Sequence, residues 1–229
     1  MKKNILFASL LALAAPAVLT SCSSDETEGK SRITYYAILE MNGEDKVSTQ
    51  KGEAFNDPGC VATMNGEDVS DQIVTTSNVN TNACGFYTVN YSVTNPDGFA
   101  ASASRTVAVV DKNSFASAYW SEAQYGARHY YNLPITITDR GDGTYLINDL
   151  AGGFYSYGRY PGYDAYGYDF FLESVLQLND DNTLTLAAQG SWYWGIPIGI
   201  TTGTYDPETG TISLLLDFDG DPMYVTLTK

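Results

Sequence analysis

Gly85-Phe86-Tyr87-Thr88-Val89-Asn90-Tyr91-Ser92-Val93 decides the fold. Side chains on a strand alternate between two faces, so Tyr87, Val89, Tyr91 and Val93 fall together on one face with Phe86, Thr88, Asn90 and Ser92 on the other. Asn95-Pro96-Asp97-Gly98 has the composition of a tight turn, and Ala101 to Val110 supplies a return strand. The unit is a β-hairpin with one apolar face, which needs further strands to cover it.

Outward from this hairpin the same pattern holds. From Ile33 onward, short alternating or β-branched runs are separated by turn residues, and no segment keeps apolar residues at helical spacing over three turns. The chain reads as all-β. In its second half, strands are expected at 133–138, 144–149, 170–178, 183–188, 196–205, 211–216 and 223–228. Asp139-Arg140-Gly141-Asp142-Gly143, Asn179-Asp180-Asp181-Asn182, Asp206-Pro207-Glu208-Thr209-Gly210 and Asp219-Gly220-Asp221-Pro222 are the intervening turns. Regular short strands joined by hairpin turns point to an antiparallel barrel or sandwich. Arg140-Gly141-Asp142 is read as part of its turn and not as an adhesion signal.

The frame Gly52-Glu53-Ala54-Phe55-Asn56-Asp57-Pro58-Gly59, Val61-Ala62, Gly66-Glu67-Asp68-Val69-Ser70, the Gly85 strand and Arg105-Thr106-Val107 resembles the bacterial Ig-like domains first noted in pesticidal crystal proteins. The resemblance covers about residues 32–111. It implies a small β-sandwich used as a spacer or adhesion module, with no catalytic residues. The chain departs from that pattern at Asn95, where aspartate is usual, and in carrying Cys60 and Cys84. Beyond a polar junction at Asp111-Lys112-Asn113-Ser114, three further stretches are informative: Gly143-Thr144-Tyr145, Asp149-Leu150-Ala151-Gly152-Gly153-Phe154-Tyr155 and Gly203-Thr204-Tyr205-Asp206-Pro207-Glu208-Thr209-Gly210-Thr211-Ile212. These resemble a C-terminal domain of unknown function in surface lipoproteins of glycan-degrading gut-type bacteria, which implies a location and a fold type but no mechanism.

At the N-terminus, Lys2 and Lys3 precede an apolar stretch from Ile5 to Val18 that is too short, and interrupted by Pro16, to span a membrane. Leu19-Thr20-Ser21-Cys22 follows and resembles a lipobox. The resemblance implies cleavage before Cys22 and acylation of that residue, and several acyl chains at about 0.8 kcal/mol per buried methylene give durable anchoring without a span. The expected organisation is a signal peptide at 1–21, an acylated cysteine and flexible acidic tether at 22–31, an Ig-like β-sandwich at 32–111 and a Tyr/Trp-rich antiparallel β-domain at 112–229. Ser23-Ser24-Asp25-Glu26-Thr27-Glu28 is either an ordinary polar tether or, by resemblance, a surface-export signal of Gram-negative lipoproteins. The expected location is the outer membrane, exposed at the cell surface.

Charge narrows the partners. Removing residues 1–21 takes away two lysines and no acid, lowering the formal charge from −15 to −17. Nucleic acid is excluded as a partner because phosphate binding needs Lys/Arg clusters. Cys60 and Cys84 are the thiols left after lipidation, and in an oxidising compartment one disulfide closing a loop of about 24 residues, worth roughly 3 kcal/mol, is expected; two buried free thiols are the alternative. His129 stands alone, no Gly-x-Ser-x-Gly or His-Glu-x-x-His element occurs, and the Asp-rich turns lack twelve-residue calcium-loop spacing. No enzyme, cofactor or metal centre is expected.

The unusual feature is 18 tyrosines against 12 Lys and Arg together. Phe154-Tyr155-Ser156-Tyr157-Gly158-Arg159-Tyr160-Pro161-Gly162-Tyr163-Asp164-Ala165-Tyr166-Gly167-Tyr168-Asp169-Phe170 and Trp192-Tyr193-Trp194 concentrate rings among glycines and polar residues. Exposed rings stack on the C–H face of a pyranose while nearby polar groups take its hydroxyls. Tyr157, Tyr160, Tyr163, Tyr166, Trp192 and Trp194 are therefore the candidate glycan-binding residues. The same rings also suit the interior of a small barrel, or a protein interface. The expected function is non-catalytic capture of a poly- or oligosaccharide beside an outer-membrane transport complex, with a structural spacer or protein-interaction module as the alternative.

Overall fold

The computed structural model describes residues 33–229, so Cys22 and the tether lie outside the described residues. The described chain is all-β. Between residues 37 and 110, β1 (Ala37–Met41), β3 (Cys60–Met64) and β4 (Glu67–Asp68) make one small sheet, in the order β1-β3-β4. β2 (Lys46–Gln50), β5 (Val74–Ser77), β6 (Gly85–Thr94) and β7 (Ala100–Val110) make a second, in the order β2-β7-β6-β5. β6 and β7 form the expected hairpin, with Thr94 opposite Ala100 and Val89 opposite Arg105. Val89, Tyr91 and Val93 are buried while Asn90 is exposed, as the alternation requires. Asn95 closes the turn by accepting the backbone N–H groups of Asp97 and Phe99 on its Oδ1 at 3.1 and 2.8 Å, so an amide serves where the Ig-like pattern has a carboxylate.

The two sheets are cross-linked by a buried cation. Arg105 is fully buried and donates to Asp57 Oδ1 at 2.8 Å, to the Asn42 carbonyl at 2.8 Å and to the Gly59 carbonyl at 3.3 Å. The Tyr91 hydroxyl donates to the same Asp57 carboxylate at 2.7 Å. Desolvation, reinforced by that carboxylate, pushes the Tyr91 phenol up to about 12.

The expected disulfide does not form. Both Cys60 and Cys84 are free. Cys60 packs against Val89, Tyr91 and Val107 in the sandwich core. Cys84 immediately precedes β6, five residues before Val89, a separation of about 17 Å at ~3.4 Å per strand residue. A disulfide requires Cα atoms within about 7 Å. Cys84 instead lines a groove of about 580 Å³ with Lys51, Asp111, Ser114 and the end of the strand that reaches Asp139. An even number of thiols carried no information about register.

Residues 118–228 form one eight-stranded antiparallel sheet from β8 (Ala118–Tyr125), β9 (Arg128–Asp139), β10 (Thr144–Ile147), β11 (Ser174–Leu178), β12 (Leu184–Gln189), β13 (Ile198–Asp206), β14 (Thr211–Phe218) and β15 (Asp221–Thr228). The order is β12-β11-β10-β9-β8-β15-β14-β13, and a bridge between Thr183 and Thr204 brings the two edges together, so the sheet is a nearly closed barrel. β9 begins five residues before the expected strand because the hairpin at 126–127 keeps Gln124 opposite His129. β11 begins four residues later than expected because Asp149 and Leu150, just after β10, tie down the backbone of Leu172 at the far end of the same connection.

Inward residues alternate cleanly on β14 and β15, where Ile212, Leu214, Leu216, Phe218, Met223, Val225 and Leu227 are buried. With Tyr119, Ile135, Ile137, Ile147 and Leu176 they fill the barrel with side chains. A barrel of eight strands is just wide enough for such filling. Lys229 seals the end where the chain enters and leaves, donating to the Ser114 carbonyl at 2.7 Å beneath the rings of Tyr119 and Tyr205. The barrel wall meets the Ig-like sheets through Trp120, which lies edge-on to Phe86 at 4.9 Å and donates from Nε1 to Ser48 Oγ at 3.0 Å.

Candidate functional site

Antiparallel order places four connections at the barrel end opposite Ala118 and Thr228: residues 126–127, 148–173, 190–197 and 219–220. The two long ones carry the aromatic segments. The barrel interior is filled, so the surface of this end is the candidate site.

The first half of the long connection is a plug. Phe154 and Tyr155 are buried, and Phe154 lies edge-on to Tyr125 and Tyr130 at 6.0 and 5.0 Å. The backbone from Phe154 to Arg159 is wound as a π-helical turn. Glycine is required for this descent: Gly152 sits at φ +64°, and a Cβ there would meet Val225 and Ser121 at 2.6 and 2.7 Å. At Gly158 a Cβ would strike the ring of Tyr130 at 2.5 Å.

Asp149 fastens the plug at its base. Its carboxylate is buried, and it accepts the N–H of Ala151 at 3.0 Å and the hydroxyl of Ser156 at 2.6 Å on one side of the connection. From the other side it accepts the N–H of Leu172 at 3.4 Å. Burial pushes this carboxyl up to about 6 against the opposing pull of those hydrogen bonds.

The second half of the connection is a surface. Tyr163, Tyr166 and Tyr168 are exposed, and so are Tyr193 and Trp194 on the neighbouring loop; Tyr166 is 79% and Tyr193 50% exposed. The rings support one another through Phe170, which stacks on Tyr160 at 4.8 Å and meets Tyr193 at 5.0 Å and Trp194 at 5.7 Å. The backbone N–H of Tyr193 donates to the Asp169 carbonyl at 2.8 Å and pins the two loops together. Arg159 lies over the Tyr160 ring at 5.4 Å. The product is a ring-paved end that rests on the barrel core.

Two of the expected glycan contacts are drawn toward the core. Trp192 is only 7% exposed, donates from Nε1 to the Ile196 carbonyl at 2.7 Å and packs edge-on against Tyr155 and Phe218. Tyr157 is half-buried against the core, edge-on to Phe171 at 5.3 Å. Trp192 is corrected to a core residue, and Tyr157 packs against the core as a partly buried ring. Tyr160 is half-buried in support of the platform, while Tyr163, Tyr166 and Trp194 reach solvent. Tyr168 and Tyr193 join the exposed rings without having been expected there, and strand alternation could not have found them, because Trp192 is buried while Tyr193 and Trp194 both reach solvent from a turn.

Beside the rings is a polar cleft of about 580 Å³ lined by Asn148, Asp169, Phe171, Glu173, Gly190 and Ser191. Among the described residues no group of His, Cys, Asp and Glu has the arrangement of a metal site. His129 lies on the barrel wall, 2.7 Å from Glu122 and 2.8 Å from the Tyr131 hydroxyl, apart from this cleft.

Comparison with known proteins gives two family matches. Residues 76–229 match a family model described as "-like, C-terminal domain", and residues 39–109 match the model "Bacterial surface protein, Ig-like domain". Among solved structures, the chain is similar to the lipoprotein BT2262 from Bacteroides thetaiotaomicron, with 29% identity over 85% of this chain and 100% of that one and a TM-score of 0.57. It also aligns with two structures of Clostridium perfringens ZmpB. One holds CBM51-2 in complex with GlcNAc together with INT domains, at 15% identity, 84% of this chain, 43% of that chain and a TM-score of 0.29. The other holds the M60 catalytic domain with CBM51-1 and CBM51-2, at 14% identity, 85% of this chain, 21% of that chain and a TM-score of 0.30. At those TM-scores neither bears on the fold or ligand of this chain. No curated protein matches the sequence.

Proposed function

The chain belongs to the family of that "-like, C-terminal domain", and we propose that it is a lipid-anchored surface lipoprotein that captures glycans on the aromatic end of its barrel, without catalysis. The observation that carries this reading is the continuous set of exposed rings of Tyr163, Tyr168, Tyr193 and Trp194, braced by buried Phe170. Solvent-facing rings held rigid by ring neighbours lose little conformational freedom on binding, which favours stacking on a flat, weakly hydrated sugar face. The similarity to a Bacteroides lipoprotein supports a membrane-associated surface location through Cys22. An outer-membrane site beside a polysaccharide transport complex is the finer form of the same proposal.

A second reading, a protein-interaction module, is favoured by exposed apolar side chains on the Ig-like half, among them Ile38, Val74 and Phe99, whose ring lies 5.6 Å from Tyr36. Affinity electrophoresis through polysaccharide gels separates the two. Glycan capture predicts retardation that a Tyr193→Ala/Trp194→Ala double variant abolishes with little change in thermal midpoint. A folded chain that no polysaccharide retards leaves the protein-interaction reading.

A further inference from the structure

The polar cleft beside the rings has unspent hydrogen-bonding capacity. Asn148 uses its Oδ1 to accept the N–H of Thr136 at 2.9 Å, and among the described residues its amide nitrogen has no protein partner. The Glu173 carboxylate and the Ser191 hydroxyl likewise bond to no described residue, while Gly190 N–H is taken by the Glu173 carbonyl at 2.8 Å. Asp169 spends Oδ1 on the N–H of Phe171 at 3.0 Å and leaves Oδ2 open. Asp169 lies between Tyr168 and Phe170 in the sequence, and its carbonyl accepts the N–H of Tyr193 at 2.8 Å, so cleft and platform share one backbone junction.

Donors from Asn148 and Ser191, acceptors from Asp169 and Glu173, and one half-buried ring from Phe171 make up the recognition set of a polyol. A carboxylate accepts charge-assisted hydrogen bonds from hydroxyls but repels another carboxylate or a sulfate. Among the described residues no Lys, Arg or His lines the cleft. Arg159, the cation of the long connection, is engaged over Tyr160. Resting on the glycan-capture reading, we propose that this cleft is a subsite for one neutral sugar residue, with Glu173 and Asp169 holding its hydroxyls and excluding uronate and sulfated glycans.

The test is affinity electrophoresis of the chain from Ser23 onward, with dissociation constants taken from retardation against polysaccharide concentration. The gels contain a neutral series (glucan, mannan, galactan, xylan) or an acidic series (polygalacturonate, carrageenan). Retardation is expected in at least one neutral gel and in no acidic gel. Glu173→Gln is expected to weaken neutral binding about tenfold, because a charge-assisted bond becomes an ordinary one. Retardation in acidic gels overturns the subsite. So does unchanged binding by both Glu173→Gln and Asp169→Asn where Tyr193→Ala abolishes it, an outcome that keeps the platform. Retardation in no gel overturns the subsite and the glycan-capture reading together.

Discussion

Replacing Asp149 by asparagine should stabilise the protein at neutral pH and do little in acid. The carboxyl is fully buried, and its folded-state value of about 6 lies above the ordinary 3.8. An acid whose value is raised on folding binds its proton more tightly in the native state, so its contribution is most favourable below the unfolded value and is lost as pH rises through about 6. A rise of about two units corresponds to ~3 kcal/mol between pH 4 and pH 7.5. Asparagine mimics the protonated acid: its Oδ1 accepts the N–H groups of Ala151 and Leu172, and its amide can donate to Ser156. The two proteins should therefore be nearly equally stable at pH 4, and the variant about 2–3 kcal/mol more stable at pH 7.5, a shift of roughly 4–12 °C for a chain of this size. Denaturant titrations of both proteins at the two pH values measure the difference, in which the titration of all shared acids cancels. A stability gap that is the same at both pH values, or a variant less stable at pH 7.5, would refute burial as the dominant influence on Asp149.

Three further outcomes follow from the packing. Asp57→Ala should cost about 3–5 kcal/mol, because it leaves the fully buried Arg105 cation without its counter-charge, and urea unfolding reads this directly. Trp192→Ala should cost about 3–5 kcal/mol as a core truncation whereas Trp194→Ala should leave the thermal midpoint within a few degrees, a contrast that calorimetry checks. Alkylation in denaturant without reductant, followed by intact-mass measurement, should label both Cys60 and Cys84; a mass showing neither labelled would reinstate the disulfide.

Much of the fold was legible because strand periodicity is local. The alternation of Gly85 to Val93 and the Asn95 turn needed no knowledge of partners, and the motif residues Asp57 and Arg105 proved to be the two ends of one ion pair. The pairing of thiols was not legible, since it depends on which sheet and register each strand joins. The aromatic segment shows the same division. Composition located the ring-rich segments, but the split between Phe154 and Tyr155 inside and Tyr163, Tyr166 and Tyr168 outside depends on where the chain dives under Tyr130. Gly152, Gly153 and Gly158 mark that dive, and Asp149 anchors it; their meaning appears only once Val225, Ser121 and Leu172 stand opposite them. Tyr193 and Trp194 lie outside because Trp192 takes the inward place in the core.

Tryptophan fluorescence tests the ring-paved end most directly. Trp192 is buried and Trp120 is held against Phe86 and Ser48, so collisional quenching by acrylamide should act mainly on Trp194. A polysaccharide that retards the protein in affinity gels should shield that emission, and Trp194→Phe should remove both the quenchable fraction and the shielding. Quenching that every polysaccharide leaves unchanged would contradict glycan capture at this surface.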